Sequence, residues 1–159
     1  MTDRIRSPRM SRAVLSRAIV CASLCFANPP TGRAFQLITE QEAAMPDDLL
    51  GMKRGGPTQG PEVVFVSPAS EAGLMKSPLN LKIRFKAHGE AKIDSESVLI
   101  TYRKLPPIDI TQRVAPFIQA DGIEIATAEL PPGAHRFRID VRDTDGRKAT
   151  GFLLINIGK

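Results

Sequence analysis

From residue 61 onward, apolar side chains recur at every second position over most of the chain. Leu81, Ile83, Phe85 and Ala87 alternate with Lys82, Arg84 and Lys86, and Val98, Ile100 and Tyr102 share one side of another segment. The clearest case is Phe137, Ile139 and Val141 set among Arg136, Arg138, Asp140 and Arg142. Successive side chains on a strand point to opposite faces, so this period of two predicts half-buried strands. Strands are expected over 63–66, 79–87, 98–103, 136–142 and 147–157, with weaker ones at 117–119 and 122–130. Ser67-Pro68, Gly89, Asp94-Ser95 and Pro131-Pro132-Gly133 supply turns, and Asp145-Gly146 supplies the pair that tolerates φ > 0 in a tight hairpin. Residues 104–111, with Pro106-Pro107, form the long irregular connection, and 111–114 one helical turn before Pro116. About seven short strands with turn signals between them predict an all-β, antiparallel β-sandwich over 61–159.

Residues 35–60 precede the sandwich as an arm and linker. Thr39-Glu40-Gln41-Glu42 fits a capping box, in which the Thr hydroxyl accepts from a backbone N–H three residues on and the Glu reaches back. Pro46 stops the resulting helix within two turns, and Gly55-Gly56-Pro57-Thr58-Gln59-Gly60-Pro61 is a linker by composition. The arm is either a spacer or a docking element that uses Ile38, Met45, Leu49, Leu50 and Met52.

Residues 1–34 read as a signal peptide: an Arg-rich start, an apolar run from Ala18 to Ala27, and small residues Gly32 and Ala34 before a cleavage point at Phe35. Cys25-Phe26-Ala27 marks a second, earlier cleavage candidate. The run is too short for a membrane span. Cleavage implies a periplasmic or secreted protein. Both cysteines, Cys21 and Cys25, lie in the leader, so the mature chain is expected to form no disulfide. Charge points the same way. Of 22 basic and 17 acidic residues, the leader holds six arginines and Asp3 alone, which leaves 16 of each sign and a neutral mature domain. A nucleic-acid partner is not expected of such a balance.

Val64-Phe65-Val66-Ser67-Pro68, Ile93-Asp94-Ser95-Glu96-Ser97-Val98 and Pro132-Gly133-Ala134-His135 followed by Val141-Arg142-Asp143-Thr144-Asp145-Gly146 resemble bacterial immunoglobulin-like domains of the fibronectin type III and cadherin-like kind. The resemblance covers about 61–159 and lies in turns more than in functional groups. The chain has no Trp, and the long Pro106-Pro107 segment is wider than a minimal module needs. The resemblance implies spacers, adhesion units or docking surfaces rather than one activity.

No constellation of nucleophile, base and orienting group is legible, so no catalytic residue, cofactor or metal ligand is assigned and an enzyme is not expected. His88 and His135 read as turn residues, and no Ser of the mature chain sits in a Gly-x-Ser-x-Gly setting. The carboxylates of Asp94 and of Asp143-Thr144-Asp145-Gly146 leave open a small accessory domain for a ligand or calcium, if folding joins them. The candidate interaction surface is the outward row Arg136, Arg138 and Arg142 together with Phe152 and Leu154. Phe152-Leu153-Leu154-Ile155 is apolar in both phases, so something is expected to cover its outer side: the first strand, the arm, or another copy through self-association. The expected function is an exported, non-enzymatic module whose partner is a protein, met through strand edges and residues 105–119.

Overall fold

The computed structural model describes residues 34–49, 60–69 and 73–159. Residues 1–33, which hold nearly all of the expected signal peptide with Cys21 and Cys25, lie outside the described residues, as do Leu50 and Met52. The described residues all fall within one unit, Gly32–Lys159.

In chain order the elements are β1 (Phe35–Gln36), α1 (Glu40–Ala44), β2 (Glu62–Ser67), β3 (Leu74–Met75), β4 (Leu79–Lys86) and β5 (Ile93–Tyr102). There follow β6 (Ile108–Asp109), α2 (Thr111–Val114), a 3-10 turn at Ala115–Phe117, β7 (Ile118–Gln119), β8 (Gly122–Glu129), β9 (Gly133–Asp143) and β10 (Lys148–Ile157). Among the described residues six strands are six residues or longer and four have two residues, where the sequence pattern predicts about seven. They form two five-stranded sheets. One runs β1-β8-β4-β2, with β7 also on β8; the other runs β3-β10-β9-β5-β6. All pairings are antiparallel except β1 with β8 and β3 with β10. The protein is an all-β sandwich.

Alternation sets the core. Leu81, Ile83 and Phe85 from β4, Ile123 and Ile125 from β8, Phe137, Ile139 and Val141 from β9, and Leu153 and Ile155 from β10 are all buried. Facing apolar layers of this kind supply most of the folding free energy, at roughly 25 cal/mol per Å² removed from water. They close tightly: the void among Leu81, Ile100, Ile123, Phe137 and Leu153 is only about 20 Å³. Where β2 crosses β10, a Cβ on Gly151 would lie 2.8 Å from Val63 Cγ1, so a larger residue would push the sheets apart.

Two local expectations change. Asp94-Ser95 is not a turn; it lies within β5, where the register with β9 shifts between Asp94 and Leu99. The extra residues are absorbed by a bulge rather than by a chain reversal. Residues 105–119 do not form a free loop either, because Ile110 and Val114 are buried and tie the segment to the core. The turn at Asp145-Gly146 is as expected, with Gly146 at φ +77°.

The arm belongs to the same core. Leu37 and Ile38 are 1% and 0% exposed. β1 extends the first sheet, Leu37 N–H continues the ladder by donating to Glu129 C=O at 3.0 Å, and Phe35 packs edge-on against Phe117 with centroids 4.6 Å apart.

Candidate functional site

The arm's polar residues are distributed by two local devices. Thr39 caps α1 through the expected capping box: its hydroxyl accepts from Glu42 N–H at 3.2 Å, and Glu42 Oε2 accepts from Thr39 N–H at 2.8 Å. α1 ends at Ala44, and the chain then runs alongside residues 103–105. Leu105 N–H donates to Pro46 C=O at 2.9 Å and Asp48 N–H to Arg103 C=O at 3.3 Å, flanking a bridge between Asp47 and Lys104.

This path brings three arm carboxylates onto four cations of the sandwich. Arg113 on α2 meets Glu42 at 2.8 and 3.0 Å and also donates to Leu37 C=O at 2.6 Å. Lys104 Nζ, on a side chain only 4% exposed, donates to Ala43 C=O, Met45 C=O and Asp47 Oδ1 at 2.8, 3.0 and 2.7 Å. The other oxygen of Asp47 takes Arg136 Nη1 at 2.7 Å, and Arg103 donates to Asp48 at 2.6 Å. A buried ammonium is tolerated when its donors are all engaged, as they are here. Lys104 and Arg136 hold the Asp47 carboxyl below its ordinary range against the opposing effect of burial. Arg113, helped by Thr39, draws Glu42 down to about 2, although burial alone would raise it.

Beneath Lys104 lies the ring of Tyr102, 5.3 Å from Nζ to centroid. Tyr102 is fully buried, and its hydroxyl meets His135 Nδ1 at 2.9 Å, while His135 Nε2 meets Pro131 C=O at 2.7 Å. A carbonyl can only accept, so the proton sits on Nε2 and Nδ1 accepts from the phenol. Burial, only partly offset by the Pro131 carbonyl, pushes His135 down from its ordinary value, which keeps the imidazole neutral. Burial also drives the Tyr102 phenol upward, reinforced by the charges of Asp47 and Glu42. The reading of His135 as a turn residue is therefore corrected: it is 1% exposed and stands in phase with Phe137. His88 does lie exposed in its turn.

The candidate surface is split by these contacts. Arg136 is drawn under the arm by Asp47, whereas Arg138 is exposed and pairs with Asp140 along its own strand at 2.9 Å. Arg142 is exposed beside Lys148, its cross-strand neighbour on β10. Phe152 stands opposite Arg138 and Leu154 opposite Arg136 on the outer face of the second sheet. Leu153 and Ile155 point inward, so the period of two holds through β10, and the outward pair is only partly shielded: Phe152 lies 5.9 Å under the Arg103 guanidinium and Leu154 remains 37% exposed. Leu99, 42% exposed, adds to this face. The row Lys82, Arg84 and Lys86 is on β4 in the other sheet, so the two basic rows do not merge.

Folding does bring Asp94 next to the last hairpin, through its pairing with Arg142 on β9. The open cleft there, about 500 Å³, is bordered by Asp94, Glu96, Arg142, Asp143 and Thr144. The Asp143 carboxylate nevertheless turns into its own hairpin. It accepts from Asp145 N–H, Arg147 N–H and Arg147 Nε at 3.1, 2.9 and 2.8 Å. Among the described residues no group of three or more His, Cys, Asp or Glu side chains is placed to hold a metal ion. No described helix is long and apolar enough to cross a membrane.

Of the arm-facing cations only Arg136 was singled out from the sequence, and as part of an outward surface rather than as a partner of the arm; Arg103, Lys104 and Arg113 were not, although one signal for them was available. Leu37-Ile38 directly before the capping box is an apolar pair with no other place in the pattern, which marks the arm as buried rather than as a spacer. Compared with known proteins, the chain matches no family model, no curated protein and no solved structure.

Proposed function

We propose that the chain is an exported, non-enzymatic immunoglobulin-like module that serves as a protein-interaction or structural unit of the cell envelope. The observation that carries this reading is the strand order. The path β2-β4-β8-β7 in one sheet and β5-β9-β10 in the other follows the ABED and CFG arrangement of immunoglobulin-type sandwiches. The fibronectin-like turn pattern of the sequence agrees with it. A non-enzymatic role is favoured by where the reactive side chains are spent: His135 and Tyr102 on each other, Lys104 on the arm, and Asp143 on its hairpin. The surface left for a protein partner is the outer face of the second sheet, with Leu99, Arg138, Arg142, Phe152 and Leu154.

The test is to express the full chain with its leader, recover it by cell fractionation, and cross-link it in place. The expected result is a protein beginning at Phe35 outside the cytoplasm, with a cross-linked partner that Leu154→Lys abolishes while leaving the fold intact. Retention of residues 1–34 on a cytoplasmic protein removes the compartment, and a partner unaffected by Leu154→Lys removes the surface. The cleft joining Asp94 to the Asp143 hairpin favours a second reading, a small ligand- or calcium-binding accessory domain. A thermal melt that calcium and chelator leave unchanged would dispose of its calcium form.

A further inference from the structure

The arm is seated as a bound peptide would be. It adds β1 to a sheet edge, fills an apolar slot with Leu37 and Ile38, and lays Glu42, Asp47 and Asp48 onto Arg113, Lys104, Arg136 and Arg103. In these ion pairs every carboxylate comes from the arm and every cation from the sandwich. We propose that this groove is also an intermolecular site, and that its partner is the arm of a second copy of the chain, exchanged reciprocally.

Two considerations point to that occupant, and a third observation shows that the exchange is within reach. The groove matches a particular sequence spacing: two apolar residues, a carboxylate four residues on, and a pair of carboxylates after five more, which residues 37–48 of this chain carry. An exchanged pair of copies also forgoes no contact, because each arm finds in the other copy the groove it leaves in its own. The third observation is the length of the connection. The arm leaves the groove near Arg103 and Arg136, whereas the sandwich begins at Gly60, against the backbone of Lys148 and hence at the level of Arg142. Arg136 and Arg142 are six residues apart on one strand, so the chain must cover about 20 Å. Residues 50–59 between Leu49 and Gly60 reach roughly 36 Å when extended. By residue count alone the chain can reach its own groove or a neighbour's, and a link of ten residues favours closure on its own groove at low concentration.

The same geometry supplies the test. Deleting residues 51–57 leaves three residues, which reach roughly 14 Å and cannot span the gap. Light scattering of this variant is expected to give a dimer with a two-fold increase in mass; a folded monomer overturns the proposal. Because the deletion could impair folding, a second pair of full-length variants tests the same point. A copy carrying Glu42→Arg and a copy carrying Arg113→Glu each lose an ion pair when closed, but recover both pairs if they exchange arms. Native mass spectrometry of the mixture is expected to show the heterodimer, absent from either variant alone, and a mixture of monomers only overturns the proposal. The inference does not depend on export or on a foreign partner. Failure of the envelope cross-linking experiment leaves it standing, and failure of exchange leaves that reading standing.

Discussion

The cations on β4 and those under the arm are of the same residue types, yet they differ in nearly every physical respect. Lys82 and Arg84 point to solvent and pair with Glu124 across the strands and with Asp121 in the β7–β8 turn, with side chains 29–39% exposed on the cationic side. Lys104 and Arg103 are 4% and 9% exposed, and their partners arrive from a segment more than fifty residues away in sequence. A solvated pair gains little over its hydration, whereas a buried cation that loses its acceptors is left with an uncompensated charge. The same formal charge thus decorates one sheet and fastens a whole segment onto the other side of the molecule.

The widest gap between the two regions should appear on removing one charge. Lys104→Met keeps much of the stem that packs on Tyr102 but leaves the Ala43 and Met45 carbonyls and one oxygen of Asp47 without their donor, and is expected to cost about 3 kcal/mol in denaturant unfolding. A loss below about 0.5 kcal/mol would erase the distinction. Acid comes next. Glu42 titrates near 2 in the folded chain against an ordinary value of 4.5, so the folded state binds its proton less readily than the unfolded one. Its stabilisation is therefore fully present above about pH 4.5 and drains away as the pH falls toward 2, by about 2 kcal/mol after allowing for solvent screening. Glu42→Gln should flatten that part of the stability profile, and an unchanged slope would assign it to other groups. The smallest effect is expected on β4, where Lys82→Ala should stay within about 0.5 kcal/mol of the parent and lose even that at high salt.

Much of the sandwich was legible because alternation, proline and glycine act locally. The inward positions of Leu81, Ile83 and Phe85, the capping box at Thr39 and the Asp145-Gly146 hairpin needed no knowledge of what lies across the fold. The site was less legible for the opposite reason. Arg136 obeys the alternation and faces outward, and only the arm arriving over it makes it partly buried. Arg103 and Lys104 are adjacent, so a period of two would expose one of them, but the crossing at Pro46 to Asp48 encloses both. His135 was readable in principle, since it shares the phase of Phe137, Ile139 and Val141, but its polarity and the nearby Pro-Pro-Gly turn suggested the surface. Phe152 and Leu154 show the converse: a strand apolar on both sides need not be covered when a guanidinium lies over one ring.

The imidazole of His135 turns this architecture into something observable. Its Nε2 proton is locked on the Pro131 carbonyl, its Nδ1 faces the Tyr102 hydroxyl, and the other side of the buried tyrosine meets the ammonium that holds the arm. A proton held in a buried hydrogen bond is expected to exchange slowly with water, and it is carried by the same ring whose other nitrogen accepts from the Tyr102 phenol, so a change at the tyrosine is expected to shift its resonance. The molecule therefore carries its own spectroscopic gauge: a single ring-nitrogen signal, followed by NMR, should register the seating and unseating of the arm, whose Asp47 acts on the histidine by its charge.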